Sequence, residues 1–191
     1  MEHMIICLLG ASGSGKSIIE HELSKHNGFA KIISYTTRQK RDGEENGRDY
    51  YFINNDTFND MIDQGLFAEY DEYSRNRLYG TLKSDYTEDD SVVVLTPNGL
   101  RQLKKNCETD NILTVLVEAS LGTRIKRYID RCNVNKFDYK DADEIFARIN
   151  KDFGMFLGLK NEVDIVIHND EGTDIKDVVA EIIKYAKKKS N

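Results

Sequence analysis

Residues 10 to 17 read GASGSGKS, which brings together three glycines, an ammonium and a hydroxyl in one turn of chain. The spacing GxxxxGK[ST] is a P-loop. Its glycines let successive backbone N–H groups curl around an oxyanion, its lysine reaches β and γ phosphates, and its hydroxyl can ligate Mg²⁺. Gly10, Ala11, Ser12, Gly13, Ser14, Gly15, Lys16 and Ser17 are therefore candidate ligands of a nucleoside triphosphate, with Ser17 the candidate metal ligand. A second cluster lies at residues 34 to 52, SYTTRQKRDGEENGRDYYF, where Arg38 and Arg41 stand three apart among tyrosines. Two guanidinium forks near a phenol suit the oxygens of a phosphate monoester better than lysines would.

The elements that must position these groups follow from the apolar pattern. Met4 to Leu9 precedes the glycine loop as a buried parallel strand should, and Ser17 to Ser24 continues as a helix with Ile18, Ile19 and Leu23 spaced to face a core. Further strand-like runs fall at Ala30 to Ile33, Val92 to Leu95, Ile112 to Val117 and Val163 to Ile167. Helical patterns occupy Thr57 to Gln64, Gly99 to Asn106, Leu121 to Asp130, Ala142 to Leu157 and Thr173 to Lys188. In the last of these Ile175, Val178, Val179, Ile182, Ile183 and Ala186 form one stripe, the signature of a docked helix. This alternation predicts an α/β protein of the P-loop NTPase class, three-layer α/β/α with a central parallel sheet. Two stretches break the rhythm: the tyrosine-rich residues 34 to 90 and the polar residues 132 to 141, natural places for substrate-binding and lid lobes. The expected division of the single domain is a core of 1–33, 91–126 and 149–191, a substrate-binding lobe of 34–90 and a lid of about 127–148.

Bulk properties narrow the function. The chain has 191 residues and a formal net charge of −6, which argues against a nucleic-acid partner. No apolar stretch approaches the length of about 18 residues that a membrane helix needs, and Glu2 stands where a signal peptide would be basic, so a cytoplasmic protein is expected. Cys7, Cys107 and Cys132 lack CxxC spacing and read as reduced thiols without a metal. His3, His21, His26 and His168 are scattered and read as solvated.

The second cluster also carries a resemblance. Ser34, Thr36, Thr37, Arg38, Arg41, Gly43, Glu44, Gly47, Asp49 and Tyr50 match the guanylate kinase pattern, which continues through Phe67 to Glu69, Tyr79 to Thr81, the arginines of residues 127 to 148, and Asn169 with Asp170. The resemblance implies ATP as phosphoryl donor, Mg²⁺, and GMP or dGMP as acceptor, in a monomer or homodimer. It further implies that Arg38, Arg41, Tyr50 and Tyr79 bind the acceptor's 5′-phosphate. Ser34, Glu69 and Thr81 would read the base, because a carboxylate facing N1–H and N2–H₂ and a hydroxyl facing O6 select guanine. Lys16, Arg38, Arg131 and Arg148 would stabilise the transferring group, while Arg127 and Asn169 would contact ATP. Such a transfer needs no general base, since a phosphate monoester with a second pKa near 6 is already a nucleophile at neutral pH.

Three departures stand against the pattern. After the strand Val92 to Leu95 the family has two acidic residues one apart, whereas this chain reads Val94, Leu95, Thr96, Pro97. Thr96 is then the candidate at the second acidic position. Lys40 replaces a common proline, and the segment from Arg131 to Arg148 is longer than is typical. Two alternatives stay open at this point: a kinase of the same fold for another deoxynucleotide or ribose 1,5-bisphosphate, and a non-catalytic guanylate-kinase-like binding module.

Overall fold

The computed structural model describes residues 3–74, 77–87, 89–107, 111–131 and 139–190. In chain order β1 (Ile5–Leu9) leads through the glycine loop into α1 (Lys16–His26). Then come β2 (Ala30–Lys31), β3 (Tyr35–Thr36), β4 (Tyr51–Phe52), α2 (Asn55–Asp63), β5 (Phe67–Ser74) and β6 (Arg77–Leu82). The chain continues with β7 (Ser91–Val94), α3 (Pro97–Asn106), β8 (Ile112–Glu118), α4 (Leu121–Arg131), α5 (Tyr139–Phe156), β9 (Ile165–His168) and α6 (Ile175–Lys189).

Among the described residues the main sheet has the order β2-β7-β1-β8-β9, every pair parallel. Strand β1 at its centre is buried on both faces, which its unbroken apolar run requires. Alternation along β1 sends Ile6 and Leu8 into a core with Ile19 and Leu23 of α1 and Val178, Val179 and Ile182 of α6. Ile5, Cys7 and Leu9 point the other way, to Leu100 and Leu103 of α3 and to Leu159. Helices therefore cover both faces of the sheet, in the three layers expected.

A second sheet, of order β4-β3-β6-β5, stands beside it. Pairs β3–β6 and β5–β6 are antiparallel, and β3–β4 is parallel. Its inner packing is aromatic: Phe58 stacks on Phe67 with centroids 4.5 Å apart, and Tyr35 stacks on Tyr51 at 4.6 Å.

Several expectations need correction. Ile18 is 56% exposed, so α1 buries only Ile19 and Leu23 of the apolar trio, along with Glu20; the loop sets the helix phase one residue off the apolar spacing. The strand expected over Ala30 to Ile33 is only Ala30–Lys31. Helix α3 starts two residues before Gly99 because Pro97 takes its first position and the Thr96 hydroxyl accepts from Gly99 N–H at 3.0 Å. Helix α5 begins at Tyr139, inside the expected polar loop of 132–141; residues 132 to 138 and Cys132 lie outside the described residues. Of the histidines, His21, His26 and His168 are exposed and His3 is half-buried. Among the described residues no helix is long and apolar enough to cross a membrane.

Candidate active site

The donor half is built where β1 ends. Gly10 has φ +146°, and a Cβ there would sit 2.3 Å from the Val117 carbonyl oxygen of β8. Gly15, the residue capping α1, has φ +99°, and a Cβ would lie 2.1 Å from Asn169 Nδ2. Both positions need glycine on conformational and steric grounds. Between them the loop turns on a Ser14 N–H to Ala11 carbonyl bond of 3.1 Å, and the free N–H groups of α1 open toward it. Ser14 Oγ is fully buried and has no hydrogen-bond partner among the described residues. A buried orphan hydroxyl inside a glycine cradle fits an anionic ligand.

Cations surround this cradle. Lys16 Nζ donates to the carbonyls of Gly10 at 2.6 Å and Ala11 at 3.1 Å. Burial of the ammonium pushes its pKa down to about 8, with Asp152 opposing and Arg124 and Arg131 assisting. Arg127 reaches the loop, donating to Gly13 O (3.1 Å) and Ser14 O (3.2 Å), and Asn169 Nδ2 donates to Ser14 O at 2.9 Å. Ser17, the candidate Mg²⁺ ligand, is exposed in the first turn of α1. Among the described residues no group of three or more His, Cys, Asp or Glu could hold a metal.

Arg131 and Arg148 stand on α4 and α5, on either side of residues 132 to 138. Arg131 is exposed and donates back to the Arg127 carbonyl at 3.0 Å, while Arg148 bonds Glu144 one turn away at 2.6 Å and lies over the Tyr128 ring. The Arg131 charge acts on Lys16, and Arg148 lines a small cavity with Ser12 of the loop, Arg124 and Asp152. The i,i+4 carboxylate competes locally for Arg148. Arg124 takes the place beside the loop, donating to Ser12 O (2.9 Å) and to Asp152 Oδ2 (2.6 Å).

The acceptor half sits on the second sheet. Arg38, 7% exposed, donates to both oxygens of Glu44 at 2.9 and 2.7 Å, and lies 5.3 Å from the centroid of Tyr50 and 5.5 Å from that of Phe52. Glu44 also accepts from Arg41 N–H at 2.8 Å, while the Arg41 side chain is exposed. Tyr50 meets Tyr79 at 5.9 Å, and burial raises the Tyr50 pKa. Next to this cluster Glu69 is 4% exposed, and one of its oxygens accepts from Thr81 Oγ1 at 2.8 Å; the same hydroxyl meets Tyr86 OH at 2.8 Å. Burial, then the Asp71 charge, push the Glu69 pKa up to about 7 against the Thr81 hydrogen bonds. Ser34 lies just before β3, its carbonyl accepting from Tyr51 N–H. Thr96 donates to Asp71 Oδ2 at 2.6 Å.

The two halves are joined by a residue that no local pattern marks. Asp152 of α5 is 1% exposed and accepts from Ser12 N–H of the loop (2.8 Å), from Arg124, and from Tyr73 OH of β5 (2.7 Å). Tyr73 in turn meets Tyr79 at 6.3 Å, so contacts run unbroken from the glycine loop to Arg38. Asp152, Arg124, Tyr73 and Tyr86 belong to no spacing pattern that marks them in the sequence. Glu44 was visible there, one residue after a glycine and three after Arg41, without its function as the brace of Arg38.

A glycine loop entering a helix from the central parallel strand, with a cationic collar and an attached arginine–tyrosine cluster, defines a P-loop phosphotransferase. The chain belongs to the guanylate kinase family, enzymes that phosphorylate nucleoside monophosphates: the family model described as "Guanylate kinase" matches residues 2–186. Among curated proteins, the guanylate kinase of Lactobacillus johnsonii is 27% identical over 188 residues, covering 95% of this chain and 88% of its own. That of Clostridium tetani is 31% identical over 185 residues, covering 84% and 88%. The crystal structure of guanylate kinase from Anaplasma phagocytophilum superposes with a TM-score of 0.70 over 98% of this chain and 87% of that one; at 17% identity the likeness concerns the fold.

Proposed function

We propose that the protein transfers the γ-phosphoryl group of ATP to the 5′-phosphate of GMP or dGMP, with the loop Gly10–Ser17 as donor cradle and the β3–β6 sheet as acceptor cradle. The observation that carries the reading is the connection of the two cradles through Asp152 and Tyr73, with a buried carboxylate, Glu69, beside the second.

The loop amides and the orphan Ser14 hydroxyl fit the ATP phosphates, Lys16 on the same loop would add a cation, and Ser17 would hold Mg²⁺. When bound there, Mg²⁺ would supply charge neutralisation to the donor phosphates. Arg127 and Asn169 brace the loop and stand near enough to meet the donor. Arg38, held by Glu44 and flanked by Tyr50 and Tyr79, orients the acceptor phosphate, with Arg41 free to swing onto it. Because both reactants are polyanions, these cations do most of the work by alignment and charge neutralisation. Glu69 accepts from guanine N1–H and N2–H₂, and Ser34 and Thr81 supply hydroxyls to the same base. Arg131, whose charge acts on Lys16, and Arg148, which lines a cavity with Ser12, would meet the transferring group from α4 and α5.

The test is ADP formation with a panel of acceptors. GMP and dGMP should be turned over far better than AMP, other nucleoside monophosphates or ribose 1,5-bisphosphate, and Arg41→Met should raise KM for GMP. Equal turnover of GMP and AMP would overturn the base assignment. ATP binding without any acceptor-dependent turnover would favour a binding module.

A further inference from the structure

We infer that Asp71 is a determinant of base choice, supplying an acceptor for the 2-amino group of guanine beside Glu69; this rests on the proposed acceptance of GMP. Residues alternate along β5, and the register sets Glu69 opposite Thr81 and Asp71 opposite Tyr79, so the two carboxylates share the face that carries the acceptor cluster. One oxygen of Glu69 takes the Thr81 hydroxyl. The other is packed so closely on α3 that a Cβ at Gly99 would lie 2.4 Å from it. The same Cβ would lie 3.3 Å from Thr96 Oγ1, which donates to Asp71 Oδ2 at 2.6 Å. Thr96 and Gly99 thus bridge Glu69 and Asp71 at the N-terminus of α3, where the free N–H groups favour negative charge.

Thr96 stands where the family resemblance implies a carboxylate, yet its hydroxyl is committed, accepting from Gly99 N–H and giving its proton to Asp71. The negative charge missing from the end of β7 is therefore present, brought in from β5. Asp71 Oδ1 accepts from Asn98 Nδ2 at 3.1 Å and Glu72 N–H at 3.0 Å, which leaves Oδ2 with one free lone-pair site. The residue is only half-buried, so a ligand can reach it. Two carboxylates this close repel one another unless a donor-rich group lies between them. Guanine brings three N–H bonds on one edge: Glu69 can take N1–H and one amino hydrogen, and Asp71 the other. Hypoxanthine has no amino group, so the Asp71 contribution should vanish with it.

The experiment compares kcat/KM for GMP and IMP, which differ only at the 2-position, in the wild type, Asp71→Asn and Asp71→Ala, with melting midpoints measured alongside. Asp71→Ala should lower the GMP value about 10–100-fold, the size expected for losing a hydrogen bond to a charged acceptor, and leave IMP within about twofold. Asp71→Asn keeps an oxygen acceptor without the charge and should fall between; it carries the test alone if the alanine variant does not fold. An equal fall for GMP and IMP would overturn the inference and reduce Asp71 to a tie between β5 and α3. A wild type with no preference for GMP over AMP would instead overturn the guanylate reading, and the role of Asp71 with it.

Discussion

Lowering the pH from 8 to 6 should weaken GMP binding through a single buried group. Glu69 has its pKa pushed to about 7, first by burial and then by the charge of Asp71, and the groups facing it are Thr81, Tyr86 through Thr81, Gly99 of α3 and the Cys7 thiol. Only the carboxylate can accept both guanine donors. With a pKa near 7 the ionised fraction drops from about nine-tenths at pH 8 to about one-tenth at pH 6, so the apparent dissociation constant for GMP should rise about tenfold. The acceptor phosphate, with its second pKa near 6, adds about twofold over the same range. Glu69→Gln separates the two effects, because glutamine does not titrate and should leave only the phosphate's twofold. The assay is calorimetric titration of GMP at three pH values and constant ionic strength. A flat profile in the wild type, or the same slope in Glu69→Gln, would refute the reasoning. Linkage gives a second readout. A carboxyl pKa raised on folding means the folded chain binds its proton more tightly. In the unliganded protein this group therefore favours folding below the ordinary value of 4.5 and loses that contribution as pH rises to about 7. GMP-induced stabilisation should grow across the upper part of that window.

Two further substitutions probe the braces of the site. Glu44→Ala removes both bonds that aim Arg38 and should raise KM for GMP about tenfold while leaving KM for ATP unchanged, measured by steady-state kinetics. Asp152→Ala takes the buried carboxylate away from Arg124 and from the Tyr73 hydroxyl. It should cost about 3 kcal/mol, lower the melting midpoint by roughly 6–12 °C in calorimetry and raise KM for ATP. An Asp152→Ala protein that melts like the wild type would remove Asp152 from its place as the link between the two halves.

How much of this was legible in the sequence depended on how local the determinant was. The glycine loop, the strand before it and the helix after it are contiguous, so residue spacing alone located the donor cradle. The apolar runs of β1 and β8 announced a doubly covered parallel sheet because burial on both faces leaves no polar alternation. Ile18 failed because helix phase is set by how the loop exits, which periodicity over three residues cannot resolve. Asp152 was invisible because its partners Ser12 and Tyr73 are 140 and 79 residues away, and a single carboxylate on an amphipathic helix looks like its solvated face. Thr96 shows the same limit in another form. The sequence revealed a missing carboxylate at the end of β7, but only the pairing of β5 against α3 brings Asp71 to that place.

The central claim is that a phosphoryl group passes directly between two cradles joined through Asp152. It is tested most directly by incubating the protein with Mg²⁺, GMP and ATP radiolabelled in its γ-phosphate. The account predicts label appearing in the β-phosphate of GDP in step with ADP, with little released as inorganic phosphate. Label recovered mainly as inorganic phosphate, or ADP formed at a rate indifferent to GMP, would contradict it.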